Sequence, residues 1–131
     1  MLSKTASTII DMNDWSPEIA SRAAAWEIEL GLEVHSREVL GKRRNIWGRL
    51  KGNGNGPTIM LAGHLDTVGV DGYESPFDPK IENGKIFGRG SCDMKAGLAA
   101  YLEVLRKIKE RNIQLSGDLI IAGVIDEEHA M

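Results

Sequence analysis

Only one cysteine, Cys92, is present in the chain. A lone thiol excludes an intrachain disulfide framework and fits a reducing compartment. Long apolar runs are also missing, and nothing approaches the about 20 residues that a membrane-spanning helix needs. The opening segment has no apolar signal core, and Asp11 and Asp14 speak against an Arg-rich transit peptide. A cytoplasmic location is expected. Positive charge is in short supply too: 16 Lys and Arg against 19 Asp and Glu leave a net charge of −3. That balance argues against a nucleic-acid footprint or a polybasic membrane patch. Lys42-Arg43-Arg44 is the single basic cluster and reads as a solvated loop.

What remains is the composition of an ordinary soluble globular protein, 42% hydrophobic and 27% charged over 131 residues. That length suits one domain and can bury a core. Residues 1–15 show no readable period, so the interpretable region is 16–131. Ser16-Pro17-Glu18 resembles a helix start, with Ser as N-cap, Pro at the first helical position and an acid in the first turn. Ile19, Ala23, Trp26 and Leu30 then mark one apolar face, and Gly31 the stop. Leu32 to Val39 and Asn45 to Leu50 read as strands, with Gly41 to Arg44 as the turn between them. Gly52-Asn53-Gly54-Asn55-Gly56 is expected to be a flexible connection. It lacks the Lys-Ser/Thr pair of a phosphate loop. Gly88-x-Gly90-x-x-Asp93 likewise lacks the third glycine of a dinucleotide site.

The centre of the chain is Gly63-His64-Leu65-Asp66-Thr67-Val68, directly behind the apolar run Thr58 to Ala62. The run reads as a buried strand. Alternation along it would project His64 and Asp66 to the same side at the strand's C-terminal end, where open α/β sheets bind ligands. A turn with Asp66 capping an amide and His64 merely exposed is the competing reading. Downstream, Asn83-Gly84 marks a tight hairpin between Ile81 and Ile86. Met94, Leu98, Tyr101, Leu102, Leu105 and Ile108 then define an amphipathic helix over about Met94 to Arg111, with Lys and Arg near its end. Asp93 stands at its start, either as an N-cap or with an oxygen left for other work.

Asp118 to Ile125 is an unbroken apolar run, as in a strand covered on both faces. It delivers Asp126-Glu127-Glu128. Three adjacent carboxylates repel one another and call for positive charge nearby. An acidic loop is one reading; a divalent cation shared with His64, Asp66 and Asp93 is the more economical one. Parallel pairing of the His64 and Asp118–Ile125 strands, joined through the helix, gives an α/β fold with a three-layer arrangement of sheet and flanking helices.

In that order and spacing, GHLDTV, GRGSCDMKAG and the DEE after an apolar strand resemble the two-zinc hydrolases. That family includes acetylornithine deacetylase, succinyl-diaminopimelate desuccinylase, aminoacylase and carboxypeptidase G. The resemblance implies a zinc-peptidase-like catalytic domain that cleaves amides of N-acyl amino acids or peptides. It implies His64, Asp93 and Glu128 as zinc ligands, Asp93 bridging two ions, with Glu127 as general base to a metal-activated water. Asp66 would hold the His64 imidazole from behind. Imidazole and carboxylates suit zinc, and also cobalt or manganese. The family takes a further acid and a further His from later sequence, and a lid or dimerisation domain. The resemblance therefore covers only the N-terminal part of a catalytic domain, and a homodimer is expected only of a complete chain. Two rivals stand beside this reading. One is an incomplete domain that binds one metal weakly, or a partner chain, and turns nothing over. The other is a Cys92 nucleophile served by His64 and Asp66. His129 reads as a loop residue.

Overall fold

The computed structural model describes residues 29–40 and 43–128. The helix expected from Ser16 lies outside them up to residue 28, as do Gly41, Lys42 and His129. Gly31 takes φ +71, the left-handed conformation expected of a helix-terminating glycine. Two strands follow, β1 (Glu33–Leu40) and β2 (Arg43–Leu50). Arg43 and Arg44 thus belong to β2 instead of to the turn or a solvated loop, because the antiparallel ladder continues through Leu40 and Arg43. His35 and Trp47 face each other across it with their rings stacked at 5.6 Å.

The chain then enters β3 (Ile59–His64) and, after a two-stranded hairpin, returns through a helix to β6 (Leu119–Val124). The hairpin strands are β4 (Lys80–Glu82) and β5 (Lys85–Phe87). Asn83 and Gly84 both take positive φ between them, the backbone that their residue types were expected to supply. Within the main sheet the order is β1-β2-β6-β3. β2 runs antiparallel to β6 and β3 parallel to it, with His64 opposite Val124. The sheet is therefore mixed. Its parallel pair is the one joined through the helix, as a long crossover requires.

That helix, α1 (Ala96–Glu110), starts later than its periodicity suggested. A wide turn over Ser91–Lys95 precedes it, in which Asp93 and Met94 have non-helical backbone. Helix α1 lies on one face of the sheet. Its fully buried Leu105 packs with Leu32, Leu119 and Ile121, flanked by Leu50, Leu61 and Tyr101. At Gly63 of β3 a Cβ would stand 2.7 Å from Met94 Cε in the preceding turn and 2.9 Å from Leu98 Cδ2 of α1.

β3 is not the buried strand its apolar sequence suggested. Among the described residues it pairs only with β6, and Ile59 and Met60 are 56% and 57% exposed. The glycine-rich stretch before it is not loose either. Asn53 and Gly56 donate backbone hydrogen bonds to Leu115 and Ser116 at 2.9 Å, and Gly52 donates to Asp118 Oδ1 at 2.9 Å. A Cβ on Gly52 would stand 2.2 Å from the Gly117 carbonyl oxygen, so two backbones cross there in contact. No described helix is long and apolar enough to cross a membrane.

Candidate metal centre

Three chain segments meet at the carboxyl ends of β3 and β6. The end of β3 supplies His64, the wide turn before α1 supplies Asp93, and the turn after β6 supplies Glu127 and Glu128. One nitrogen of His64 and one carboxylate oxygen each of Asp93 and Glu128 lie within 4.8 Å of one another. The separation is compatible with three donors around one cation.

His64 is buried, and both of its ring nitrogens face oxygen. Nδ1 lies 3.0 Å from the Asp66 carbonyl oxygen, which can only accept, so Nδ1 carries the proton. A neutral ring then turns the Nε2 lone pair towards Asp93 Oδ1 at 3.0 Å. Two acceptors at that distance need a positive species between them, either a second ring proton or a metal ion. Burial alone pushes the imidazole pKa down. The Asp93 hydrogen bond, the Asp66 carbonyl and the charges of both aspartates outweigh it and raise the pKa above its ordinary value. The donor set thus fits a divalent cation: nitrogen and carboxylate oxygens around one point, with the His tautomer already fixed from behind.

Asp66 fixes that tautomer through its main chain. Its carboxylate stands farther from the ring, with Oδ1 3.7 Å from Nδ1. Oδ2 instead accepts the backbone N–H of Glu128 at 2.9 Å. The side chain expected to hold the His64 ring from behind therefore also ties the end of β3 to the turn after β6. Asp93 is not a helix cap, since no side-chain hydrogen bond caps α1, and its side chain is 75% exposed. Glu127 reaches to 3.9 Å from His64 Nε2 and is 51% exposed. Cys92 is exposed, and His64 spends both nitrogens on Asp66 and Asp93, so this imidazole is not turned to the Cys92 thiol.

Some supporting residues were not singled out from the sequence. Arg43 pairs with Asp126 at 2.5 Å and supplies positive charge to the acidic turn. Asn45 Oδ1 accepts the Ile125 N–H at 2.9 Å. The signal for Arg43 was available: three neighbouring acids demanded a cation, and the chain has one basic cluster. Lys95, 3% exposed, had no such signal. Beside the site lies a cavity of about 430 Å³, walled by Val68, Tyr73, Phe87 and Cys92 and reaching Asp93 and Glu128. Arg89 braces its wall, with its guanidinium 4.7 Å above the Tyr73 ring and Nη2 donating to the Gly69 carbonyl at 3.0 Å.

A mixed α/β sheet with histidine and carboxylates gathered at its carboxyl edge suits a metal-dependent hydrolase. The chain belongs to peptidase family M20/M25/M40, whose family model matches residues 60–131. It is 37% identical over 116 residues to the N-formyl-4-amino-5-aminomethyl-2-methylpyrimidine deformylase of Bacillus subtilis (strain 168), covering 84% of this chain and 27% of that protein. To an acetylornithine deacetylase of Aliivibrio fischeri it is 32% identical, covering 98% of this chain and 34% of that protein. The crystal structure of a tripeptidase from Staphylococcus aureus superposes with a TM-score of 0.77 at 27% identity, covering 97% of this chain and 36% of that one. The chain thus spans about a third or less of the length of these relatives. The family is metal-dependent and generally uses zinc.

Proposed function

We propose that this chain forms part of the catalytic centre of a metal-dependent amide hydrolase, with His64, Asp93 and Glu128 as metal ligands. One observation carries the reading: the His64, Asp93 and Glu128 donor atoms converge within 4.8 Å although they come from three separate segments. Zinc suits this donor set best, and cobalt or manganese would also fit it. A divalent ion held by these three residues would supply positive charge to polarise an amide carbonyl and to acidify water. Asp93, with two carboxylate oxygens and an exposed side chain, would have an oxygen to offer a second ion.

The chain's own residues supply the rest. Glu127, close to the His64 ring but outside the three-donor group, takes the proton from the attacking water as general base. It then returns that proton to the amine as the C–N bond breaks. Asp66 holds the His64 ring and the Glu128 turn in place. The apolar and aromatic cavity wall beside Asp93 and Glu128 suits a small substrate, an N-acyl amino acid or a short peptide.

Calorimetric titration of the 131-residue chain with zinc tests the ligand set. Binding that is lost in each of His64→Ala, Asp93→Ala and Glu128→Ala supports it. Binding indifferent to all three, or no binding at all, would refute it.

A further inference from the structure

Asp126 opens the acidic triplet, and the catalytic roles described so far use only the two glutamates after it. Its backbone takes φ +69, a left-handed conformation that residues with a Cβ rarely adopt and that Asp tolerates better than most. The chain needs that turn. β6 ends at Val124, and an extended chain would run on from there at about 3.3 Å per residue. An extended Asp126 would carry the Glu128 amide away from Asp66 Oδ2, which it meets at 2.9 Å.

The strands on both sides of β6 hold the turn. At the end of β3, the Leu65 N–H donates to the Val124 carbonyl at 2.7 Å, and Asp66 takes the Glu128 amide. From β2, Asn45 Oδ1 accepts the Ile125 N–H at 2.9 Å, and Arg43 Nη1 meets Asp126 Oδ1 at 2.5 Å. The latter contact is an ion pair without the alignment of a hydrogen bond. The β2–β6 ladder ends with Ile46 opposite Gly123. Continuing its antiparallel register would set Arg43 opposite Asp126, so side chains take over where the backbone pairing stops. Both side chains are only 21% and 22% exposed, and water screens the pair less than one on the open surface.

We propose that Arg43 and Asp126 form a positioning pair: Arg43 holds Asp126 in its left-handed turn, and that turn sends Glu128 back to His64 and Asp93 and keeps Glu127 beside them. The inference rests on the reading of His64, Asp93 and Glu128 as metal ligands. Positioning and plain charge differ in sign. As bare charges near a cation, an arginine repels it and an aspartate attracts it, so losing Arg43 would tighten metal binding and losing Asp126 would weaken it. As a positioning pair, the loss of either one weakens binding.

The test is a double-mutant cycle of Arg43→Met, Asp126→Asn and the two together, with Arg43→Lys as the conservative variant. Asparagine keeps the left-handed tolerance of Asp126 without its charge. The cycle separates this pair from everything else the two side chains touch. Zinc affinity is read by calorimetry, and amide hydrogen exchange by NMR on the metal-free chain. Each single variant should bind zinc about 10- to 100-fold more weakly, the usual loss when support behind a ligand is removed, and exchange the Glu128 amide about tenfold faster or more. Leu105 and Ile121 should stay protected. The double variant should be no worse than the poorer single, and Arg43→Lys should bind zinc better than Arg43→Met. Zinc bound equally or more tightly by Arg43→Met, while His64→Ala still abolishes it, overturns the inference. So do losses that multiply in the double variant, or a Glu128 amide unchanged in either single. A fold lost with Arg43→Met overturns it as well, because Arg43 then serves the sheet. Zinc binding that ignores His64→Ala, or is absent, would instead refute the ligand reading, while the Glu128 amide still decides the pair.

Discussion

If Glu127 is the general base and Glu128 a metal ligand, as proposed, the two substitutions should fail in different ways. The prediction concerns Glu127→Gln and Glu128→Gln in a protein of the relatives' full length. Glu128 belongs to the group of three donor atoms within 4.8 Å, and Glu127 does not. Glu127 still places a carboxylate near the ion, 3.9 Å from His64 Nε2, but it is half exposed. Two unit charges about 4 Å apart in water attract by about 1 kcal/mol, so a divalent ion gains about 2 kcal/mol from this carboxylate. With the screening of bulk water, losing it costs about 30-fold in metal affinity, and less in salt. Glu128→Gln loses a comparable charge interaction and also a direct ligand oxygen, so its affinity should fall further, beyond about 100-fold. Rates should rank the other way once metal is saturating. Loss of a general base costs about 10²–10⁴-fold, or about 2.7–5.4 kcal/mol of transition-state stabilisation, and falls on kcat. The assay is metal content per chain beside turnover of an N-acyl amino acid, with and without added zinc. Zinc should partly rescue Glu128→Gln and leave Glu127→Gln slow. Metal lost from Glu127→Gln and kept by Glu128→Gln would show the roles reversed. No effect from either would reduce the triplet to an acidic turn.

Three further outcomes concern the scaffold. Asp118 accepts hydrogen bonds from the Gly52 amide and from Arg49, which together hold its pKa below the usual aspartate range. A depressed carboxylate pKa stabilises the fold above the unfolded-state value, and that stability is lost as pH falls through the folded-state value. The urea midpoint of the wild type should therefore drop on acidification below about pH 4, whereas Asp118→Asn should start lower and lose less; parallel curves would refute this. Leu105→Ala, at a fully buried core position, should cost about 2–5 kcal/mol in chemical denaturation. A loss below about 1 kcal/mol would mean that α1 does not anchor the sheet there. Gly52→Ala would bring its Cβ to 2.2 Å from backbone of Gly117, which no rotamer change can relieve. It should cost about 1–3 kcal/mol or more, and an unchanged melting temperature would show that the crossing is loose.

Elements written in local chemistry were legible before any coordinates. The Asn83-Gly84 turn needs only two residues that tolerate positive φ, and α1 needs only an apolar repeat at three- and four-residue steps. The apolar run delivering Asp126-Glu127-Glu128 was equally plain. The proposed ligand set came from three short motifs whose order is a property of the chain.

Partners distant in sequence were not legible. Glu128 meets Asp66 across 62 positions, and Ile125 meets Asn45 across 80. No periodicity encodes such pairs, because they depend on strand order and register. The apolar run of β3 looked buried because composition cannot say how many neighbours a strand has; in the structure it pairs with β6 alone among the described residues. The glycines at 52–56 looked loose because freedom and close approach demand the same residue, and only the crossing with Gly117 shows which applies. Asp66 looked like a side-chain partner for His64. Folding brought the Glu128 amide to its carboxylate and left the imidazole to its carbonyl, because hydrogen bonds are settled by where the backbone of each turn comes to rest.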